Sequence, residues 1–393
     1  MATRQTRSLR REYLPFSPPA VGQEEIDEVV DTLRSPWITT GPKVQRFERA
    51  FAEYFGVPDA IAMSSCTAAL HTALVAMGIG PGDEVVTSPI TFAATVNVIE
   101  HVGARPVLAD VDPDTLNLDP ARVEAAITPW TRALLPVHFA GHPVELDAIR
   151  AIAETHRLLV LEDAAHALPA AYKGERIGSG PHPAAFSFYA TKNLTTAEGG
   201  MLTGPAGLLQ QARVIGLHGM TKDAWKRYAR GGSWRYEAVL PGFKYNMTDI
   251  AAAMGIHQLA KLEAFHRRRE DIAARYSEAF AEEPALEVPA RRAHVEHAWH
   301  LYVLRLRPEA LRIDRDQFIE ELALREIGTS VHFIPIHLHP YYRDKYGYVP
   351  ERFPVAYGNF ERMLSLPLHP RLSDDDVADV IDAVLDVAQT NRR

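Results

Sequence analysis

The sequence predicts an α/β protein, with a large domain built on a mainly parallel sheet and a smaller C-terminal α+β domain. The first observation is that short apolar runs alternate with amphipathic helical patterns through the first half of the chain. Such strands are buried on both faces, which is typical of parallel sheets covered by helices. The second is a long helical pattern after Asn246 that precedes a shorter mixed region. A chain of 393 residues, 47% of them hydrophobic, is long enough for two cores.

The elements of the large domain follow from the spacing of their apolar residues. A leading helix over 23–34 carries apolar residues at helical spacing, and Pro36 ends it. Beyond it the pattern predicts strands alternating with helices over 60–64, 67–77, 84–88, 92–101, 106–111, 121–127, 133–139, 146–156 and 158–162. Two more strands are predicted at 185–190 and 200–203. The direction in which these strands pair does not follow from the pattern.

The rest of the chain begins with a helix over 248–281, whose first residues, Thr248 and Asp249, are typical of a cap. After it the pattern predicts a strand at 300–306, a helix at 316–325, an extended segment at 330–338 and a helix over 374–388 capped by Ser373. We therefore divide the chain into a disordered basic tail at 1–12, a large domain at 13–260 and a small domain at 261–393.

The composition argues against several classes of function. A formal net charge of −8 gives no overall basic field for a polynucleotide. The single cysteine, Cys66, cannot form an internal disulfide, and no apolar run of about 20 residues is present to span a bilayer. The arginine-containing N-terminal stretch is not followed by an apolar run, so it does not resemble a secretory signal. We expect a cytoplasmic protein that binds neither nucleic acid nor membrane.

Lys192 and Asp163 are the residues that point to a cofactor. Asp163 ends a predicted apolar strand, where doubly wound sheets place their ligands, and Lys192 follows the next predicted strand. A lysine can hold the aldehyde of pyridoxal phosphate as a Schiff base, and a carboxylate can keep the pyridine nitrogen protonated. Alone, a lysine is by default a surface residue, and an acid after an apolar run is often a helix cap. Together they predict pyridoxal phosphate as the cofactor and make Lys192 and Asp163 the catalytic candidates.

Other residues near these strands suit the same cofactor. The small polar turn at 64–67 leads from a strand into a helix, whose first free amides would bind a phosphate, although a capped helix without a ligand has the same pattern. Ser187 can add a hydroxyl to that phosphate. Phe92 can stack on the pyridine ring, although an isolated aromatic residue more often belongs to the core. His166 can hydrogen-bond the phenolic oxygen, and a hydrogen-bonded core histidine is the alternative.

Several motifs, in order along almost the whole chain, resemble those of the DegT/DnrJ/EryC1/StrS family of pyridoxal-phosphate sugar aminotransferases. These motifs are Trp37-Ile38-Thr39-Thr40-Gly41-Pro42, Ser65-Cys66-Thr67-Ala68-Ala69-Leu70-His71, Glu162-Asp163-Ala164-Ala165-His166, the segment around Lys192, Gly199-Gly200, Gly242-Phe243-Lys244-Tyr245-Asn246-Met247-Thr248-Asp249 and Leu364-Ser365-Leu366-Pro367-Leu368. The resemblance implies the fold-type-I architecture of aspartate aminotransferase for the large domain.

The resemblance also implies roles for individual residues. Lys192 would carry the cofactor and move the proton, while Asp163 would pair with the pyridine nitrogen. The cofactor would be held by Cys66, Thr67, Phe92, Asp163, His166, Ser187, Lys192 and Asn246. The family's dimeric sites borrow a phosphate-binding asparagine from the neighbouring chain, and Asn246 stands at that position, so a homodimer is implied.

The substrate is expected to contact Thr40, Tyr189 and His332. His332, His337 and His339 are irregularly spaced and lack an accompanying acid or thiol, so we predict no metal site and place His332 in a pocket wall that hydrogen-bonds sugar hydroxyls.

The function implied by the resemblance is transamination from L-glutamate to a nucleotide-linked keto-sugar. The leading acceptor is a 4-keto-6-deoxyhexose on dTDP or UDP, which would become a 4-amino sugar. A 4-keto-pentose, a 3-keto-hexose and a keto-cyclitol remain alternatives. Dehydratases of the family have histidine where Lys192 stands, which argues against dehydration. A non-catalytic protein of the same fold would have no need for the complete set of cofactor-binding residues.

Overall fold

The computed structural model describes residues 10–220 and 237–393. Of the tail predicted to be disordered, residues 1–9 lie outside the described residues. Arg10, at the end of that tail, forms ion pairs of 2.6 and 3.0 Å with Asp376 and Asp379. Within these two ranges, no helix has the length and apolar character that a membrane span requires.

The α-helices occur throughout both described ranges. They are α1 (Gln23–Arg34), α2 (Pro42–Phe55), α3 (Cys66–Ala76), α4 (Ala93–His101), α5 (Pro120–Ala126), α6 (Leu146–His156), α7 (Ala206–Ile215), α8 (Asp249–Phe280), α9 (Arg315–Ala323), α10 (Pro340–Tyr346), α11 (Pro354–Phe360) and α12 (Asp374–Thr390). The strands are β1 (Ala60–Met63), β2 (Glu84–Thr87), β3 (Arg105–Leu108), β4 (Thr131–Leu135), β5 (Leu159–Val160), β6 (Glu162–Asp163), β7 (Ala171–Tyr172), β8 (Glu175–Arg176), β9 (Ala184–Ser187), β10 (Gly200–Thr203), β11 (Leu286–Glu287), β12 (Val295–Glu296), β13 (Tyr302–Leu306) and β14 (Met363–Leu366).

The large domain contains a mainly parallel sheet, as predicted. One part has the order β1-β10-β9-β6 and the other has the order β3-β2-β4-β5. The two parts meet where only Leu161 separates β5 from β6, and the Leu161 N–H donates to the Leu134 carbonyl at 3.0 Å. In this sheet β10 pairs antiparallel with both of its neighbours, while the other pairs are parallel. The structure therefore supplies the pairing directions that the sequence pattern leaves open.

The carboxyl ends of the parallel strands lie along one edge of this sheet. Asp163 is the last residue of β6, and Ser187 is the last residue of its parallel neighbour β9. The turn into α3 follows β1, and β10, which runs the other way, begins at Gly200 on the same edge. Loops after parallel strands converge there, so residues far apart in the sequence become neighbours.

The long helix α8 contributes to two hydrophobic cores. Leu259 and Leu262 pack in the core of the large domain, whereas Ile272 and Tyr276 pack in a second core with the antiparallel sheet β11-β13-β14. Leu14, near the start of the described chain, also belongs to the second core. The division proposed at residue 260 falls inside α8 and stays a prediction.

One predicted element is wrong over part of its length. The segment 330–338 was expected to be extended, but only Ser330 forms a bridge, with Ser365, and Ile336–Leu338 is a 3-10 helix. The Ile336 N–H donates to the Pro89 carbonyl at 2.9 Å, which attaches this turn to the loop before α4. A tertiary contact therefore overrides the β-branched, aromatic composition of the segment.

Candidate active site

A cavity of about 620 Å³ lies at the carboxyl edge of the large sheet. Its lining includes the predicted residues Cys66, Thr67, Phe92, Asp163, His166, Ser187, Tyr189, Lys192 and His332. Of the predicted site residues, Thr40 and Asn246 are not part of this lining. The fold therefore places both catalytic candidates and the predicted phosphate turn around one space large enough for a cofactor and a substrate group.

Lys192 projects into this cavity from a tight turn. Its backbone N–H donates to the Tyr189 carbonyl at 2.9 Å. The next residue, Asn193, fixes the turn because its side-chain amide donates to the carbonyls of Leu168 and Ala298, both at 2.8 Å. Desolvation lowers the pKa of Lys192 to about 8, although electrostatic interaction with Cys66 and Asp163 acts in the opposite direction. A lysine with this pKa has a larger neutral fraction near neutral pH than an ordinary lysine has, and the neutral amine is the form that acts as nucleophile or base.

Asp163 is 4% exposed and both of its carboxylate oxygens accept hydrogen bonds. The Thr95 hydroxyl donates to Oδ2 at 2.7 Å, and the Ala165 N–H donates to Oδ1 at 3.1 Å. Because the Thr95 proton is used in this way, the Thr91 hydroxyl, 2.6 Å from the Thr95 hydroxyl, is the donor between the two threonines. Burial raises the pKa of Asp163, while Thr95, the Ala165 amide and the Lys192 charge oppose the increase. A cationic partner in the cavity would favour the ionised form further.

The turn between β1 and α3 is where the sequence predicts an anion site. Ser65 caps α3 by accepting a hydrogen bond from the Ala68 N–H at 3.0 Å. Cys66 and Thr67 occupy the first two positions of the helix, whose amides have no acceptor within the helix. A side chain at Gly200 would collide with this turn, since its Cβ would lie 2.5 Å from the Ser65 carbonyl carbon and 2.6 Å from the Cys66 nitrogen. The absence of a side chain at Gly200 therefore lets β10 lie directly against the Ser65 cap of α3.

The thiol of Cys66 is not activated as a nucleophile. It is buried and donates to the Ala185 carbonyl at 3.4 Å. Burial, together with the charge of Asp163, raises its pKa well above that of an ordinary thiol. These observations agree with the interpretation of Cys66 as a small residue of the turn, because a nucleophilic thiol needs a lowered pKa.

His166 has a buried nitrogen that can receive a ligand. Nδ1 makes no hydrogen bond within the described residues. Burial lowers the pKa of His166 well below its usual value, and the charge of Lys192 adds to this effect. The ring lies 4.3 Å from the ring of His300 and 5.8 Å from that of Phe333. A buried polar atom without a partner is costly, so a neutral His166 is suited to hydrogen-bond a group that enters the cavity.

Aromatic side chains form another part of the lining. Phe92, at the N-terminus of α4, is 63% exposed and its ring lies 5.9 Å from the ring of Phe333. Phe16 stacks on His332 at a centroid distance of 5.3 Å. The Nδ1 of His332 lies 2.9 Å from the Ser365 hydroxyl, and desolvation lowers the pKa of His332 to about 4. This neutral wall offers flat apolar surface beside the polar residues.

Thr40 and Asn246 pair with each other outside the cavity lining. The Asn246 amide donates to the Thr40 hydroxyl at 2.5 Å, and that hydroxyl donates to the Met247 carbonyl at 2.5 Å. Asn246 also forms an antiparallel bridge with Met63, the last residue of β1. Its Oδ1 is buried and accepts no hydrogen bond within the described residues. The predicted roles of Thr40 in substrate binding and of Asn246 across a dimer stay predictions.

Several residues of the site were not predicted from the sequence. Thr95 orients Asp163, and Asn193 fixes the turn of Lys192. His300 lies beside both Asn193 and His166: its Nδ1 is 3.2 Å from the Asn193 Oδ1, and its ring contacts that of His166. Phe16 and Phe333 also line the cavity. The position of Asn193 beside Lys192 was a usable signal, whereas nothing in the local pattern around Thr95 or Phe16 indicates their contacts.

The site fits pyridoxal phosphate. The free amides of Cys66 and Thr67 suit its phosphate, and Ser187 lies in the same lining. The unpartnered Nδ1 of His166 suits the phenolic oxygen, and the buried carboxylate of Asp163 suits a protonated ring nitrogen. Within the described ranges, no group of three or more histidine, cysteine, aspartate or glutamate side chains is arranged to hold a metal ion.

Comparison with known proteins decides the family. The sequence profile of the DegT/DnrJ/EryC1/StrS aminotransferase family matches residues 19–385. The chain belongs to this family. The spore coat polysaccharide biosynthesis protein SpsC of Bacillus subtilis is 53% identical over 382 residues, which cover 97% of this chain and 98% of SpsC.

Solved structures of similar proteins agree with the assignment to the DegT/DnrJ/EryC1/StrS family. The putative sugar aminotransferase Spr1654 of Streptococcus pneumoniae, in its PMP form, superposes with a TM-score of 0.91 at 38% identity and covers 96% of this chain and 99% of its own. The aminotransferase PseC of Helicobacter pylori, involved in pseudoaminic acid biosynthesis, gives a TM-score of 0.88 at 28% identity, with 97% and 100% coverage. The predicted fold-type-I architecture is confirmed, and the chain is a pyridoxal-phosphate-dependent sugar aminotransferase.

Proposed function

We propose that this aminotransferase moves the amino group of L-glutamate to a keto-sugar carried by a nucleotide. The leading acceptor is a 4-keto-6-deoxyhexose linked to dTDP or UDP, which would become the 4-amino sugar. The observation that carries the proposal is the arrangement of the cavity, in which Lys192, Asp163 and the N-terminus of α3 surround one side and a neutral aromatic wall forms another.

The polar side of the cavity suits the proton transfers of transamination. Bound pyridoxal phosphate supplies an electron-accepting ring and carries the amino group between the two substrates. Lys192 Nζ, with a pKa lowered to about 8, can take a proton from the α-carbon of glutamate in the first half-reaction and donate a proton to the sugar carbon that receives the amino group in the second. The carboxylate of Asp163, oriented by the Thr95 hydroxyl, would hold the protonated ring nitrogen of the cofactor. Burial of these groups excludes water and strengthens their electrostatic interaction.

The aromatic side of the cavity suits a carbohydrate acceptor. Phe16, His332 and Phe333 present ring surfaces in one continuous series, with centroid distances of 5.3 and 5.1 Å between neighbours. The names of the similar proteins support the same choice, because SpsC is assigned to spore coat polysaccharide biosynthesis and PseC to pseudoaminic acid biosynthesis. The nucleotide and the position of the keto group rest on the family resemblance.

The proposal includes a homodimer in which each active site uses Asn246 of the neighbouring chain. The buried Asn246 Oδ1 accepts no hydrogen bond within the described residues, so it is compatible with a donor supplied by another chain. The Asn246 amide donates one N–H to Thr40, and its second N–H is the group that would donate to a phosphate oxygen of the neighbouring site. Isologous contact about a two-fold axis would give two equivalent sites.

The test follows the two half-reactions separately. Purified enzyme supplied with pyridoxal phosphate should be yellow, and L-glutamate should convert it to the amine form with loss of that colour. The amine form should then aminate one member of a panel of dTDP- and UDP-linked 4-keto-6-deoxyhexoses, 4-keto-pentoses and 3-keto-hexoses, identified by the mass of the product. A keto-cyclitol in the same panel tests the alternative acceptor. No change with glutamate would contradict the donor assignment, and amination of only the keto-cyclitol would contradict the nucleotide.

The matched control is Lys192→Ala. This variant should still bind the cofactor through the phosphate turn and Asp163, but it should lose turnover by a factor of roughly 10³ or more because the proton acceptor is gone. Turnover like that of the wild type would remove Lys192 from the catalytic set.

A further inference from the structure

The N-terminal segment around Phe16 reaches the cavity from the small-domain core. Leu14 is 4% exposed and is fixed by two backbone hydrogen bonds, from its N–H to the Glu326 carbonyl at 2.8 Å and from the Gly328 N–H to its carbonyl at 2.9 Å. Three residues after Leu14, the Ser17 hydroxyl donates to the Thr191 carbonyl at 3.4 Å. The segment is therefore held at both ends, and the second attachment is next to the catalytic lysine.

Phe16 lies between these two attachments and forms part of the cavity wall. Its half-buried ring stacks on His332 with an interplanar angle of 27°. The Nδ1 of His332 is engaged with Ser365, so the imidazole plane is fixed behind the phenyl ring. A fixed, half-exposed aromatic face in a cavity is suited to a ligand with an apolar face of its own.

The two proposed substrates differ in how they can use this wall. A pyranose ring has a face of C–H groups that can pack on a phenyl ring, while its hydroxyls remain free to hydrogen-bond elsewhere. L-Glutamate is a flexible chain with two carboxylates, and the neutral rings of Phe16 and His332 provide no charge for either of them. The wall therefore favours the sugar over L-glutamate, although both substrates must reach Lys192.

We propose that Phe16 is a specificity residue for the acceptor, because its ring packs against the pyranose of the nucleotide-linked sugar and takes no part in the reaction with glutamate. This inference rests on the proposed function. The segment 14–17 then connects sugar recognition to the turn that carries Lys192, since Ser17 contacts the Thr191 carbonyl.

The first experiment compares two acceptors on the same amine form of the enzyme. One sample receives 2-oxoglutarate, which reverses the glutamate half-reaction, and the other receives the dTDP- or UDP-linked 4-keto-6-deoxyhexose. Both reactions restore the yellow form, so they share one optical measurement. Phe16→Ala should lower kcat/KM for the keto-sugar by about tenfold, because one apolar contact in a pocket changes kcat/KM by about a factor of ten. The same variant should change kcat/KM for 2-oxoglutarate by less than about twofold.

Matched variants separate stacking from folding. Phe16→Trp keeps an aromatic face and should recover most of the activity toward the sugar. Tyr13→Ala removes a 58% exposed aromatic residue of the same segment and should leave both reactions unchanged. An equal loss with both acceptors in Phe16→Ala, at an unchanged Tm, would mean that Phe16 only fixes the turn of Lys192, and the specificity proposal would be wrong.

A second readout is independent of turnover. In a Lys192→Ala background, saturation transfer from aromatic protein protons should reach the pyranose protons of dTDP-glucose. Adding Phe16→Ala should lower that transfer relative to the transfer to the thymine protons of the same ligand, while Phe333 and His332 still contribute the remainder. An unchanged ratio would refute the contact. If glutamate bleaches the wild-type enzyme but no keto-sugar restores the colour, the proposed acceptor is wrong, and the NMR result still decides whether Phe16 contacts a nucleotide sugar.

Discussion

Replacing Thr95 with valine tests how the carboxylate of Asp163 is kept in its working state. Valine has nearly the same shape but cannot donate the 2.7 Å hydrogen bond to Asp163 Oδ2. The Ala165 N–H still donates to Oδ1, so one of the two protein hydrogen bonds remains. A hydrogen bond to a charged group contributes about 1.5 to 3 kcal/mol, and a loss of about 2 kcal/mol corresponds to a rate about 30 times lower.

The pH dependence gives the sign of the effect. The Thr95 hydroxyl lowers the pKa of Asp163 against the increase caused by burial, so removing it must raise that pKa. Asp163 would then stay protonated to a higher pH and would be less able to hold a positive ring nitrogen. The acidic limb of the rate of the glutamate half-reaction should therefore move to higher pH in Thr95→Val.

The assay is the single-turnover loss of yellow colour with L-glutamate, measured across pH. Thr95→Ser keeps the hydroxyl and should retain a rate within about threefold of the wild type and the same acidic limb, which separates the hydrogen bond from packing. A Thr95→Val enzyme with a wild-type rate and an unmoved acidic limb would show that Thr95 does not set the state of Asp163.

The remaining predictions concern the phosphate turn, the lysine and the dimer. Gly200→Ala should weaken cofactor binding at least tenfold in a titration of apoenzyme, because its Cβ would lie 2.5 Å from the Ser65 carbonyl carbon. The control Gly207→Ala, whose Cβ would meet nothing within 4 Å, should bind the cofactor normally. Equal affinities of the two variants would contradict the close approach of Gly200 to the turn. The rate of covalent cofactor loading should rise with pH and level off near the Lys192 pKa of about 8, because the neutral amine reacts, and a rate still rising above about pH 9.5 would contradict that pKa. Homodimers of Lys192→Ala and of Asn246→Asp should each be inactive at limiting cofactor. If Asn246 acts across the dimer, unfolding the two variants, mixing them equally and refolding them should restore activity in about a quarter of the sites. No recovery in a sample shown to contain mixed dimers would place Asn246 in the active site of its own chain.

The sequence determined the type and approximate position of many elements. The helices at Gln23–Arg34 and Leu146–His156 and the strand at Gly200–Thr203 begin and end where their apolar spacing predicts. The cap of the last helix is also as predicted, since Ser373 accepts from the Asp376 N–H. These features depend on residues close together in the chain, so local periodicity and capping are sufficient.

Two features of the large domain were not determined from the sequence. Helix α2 (Pro42–Phe55) was missed, although Val44, Phe47, Phe51 and Phe55 recur at helical spacing between Pro42 and Gly56, so its local pattern was a usable signal. The antiparallel direction of β10 was also undetermined, since a strand buried on both faces has the same apolar run in either direction.

The chemistry of the site divides in the same way. The sequence alone made Lys192, Asp163 and the turn at 64–67 the candidates, because these residue types at the ends of predicted strands suit pyridoxal phosphate, and the structure places them around one cavity. Only the tertiary structure showed that Thr95 donates to Asp163, that Asn193 fixes the lysine turn and that Phe16 stacks on His332. Those contacts join residues 68, 105 and 316 positions apart, and only the folded arrangement of the two cores determines which distant side chains meet at the cavity.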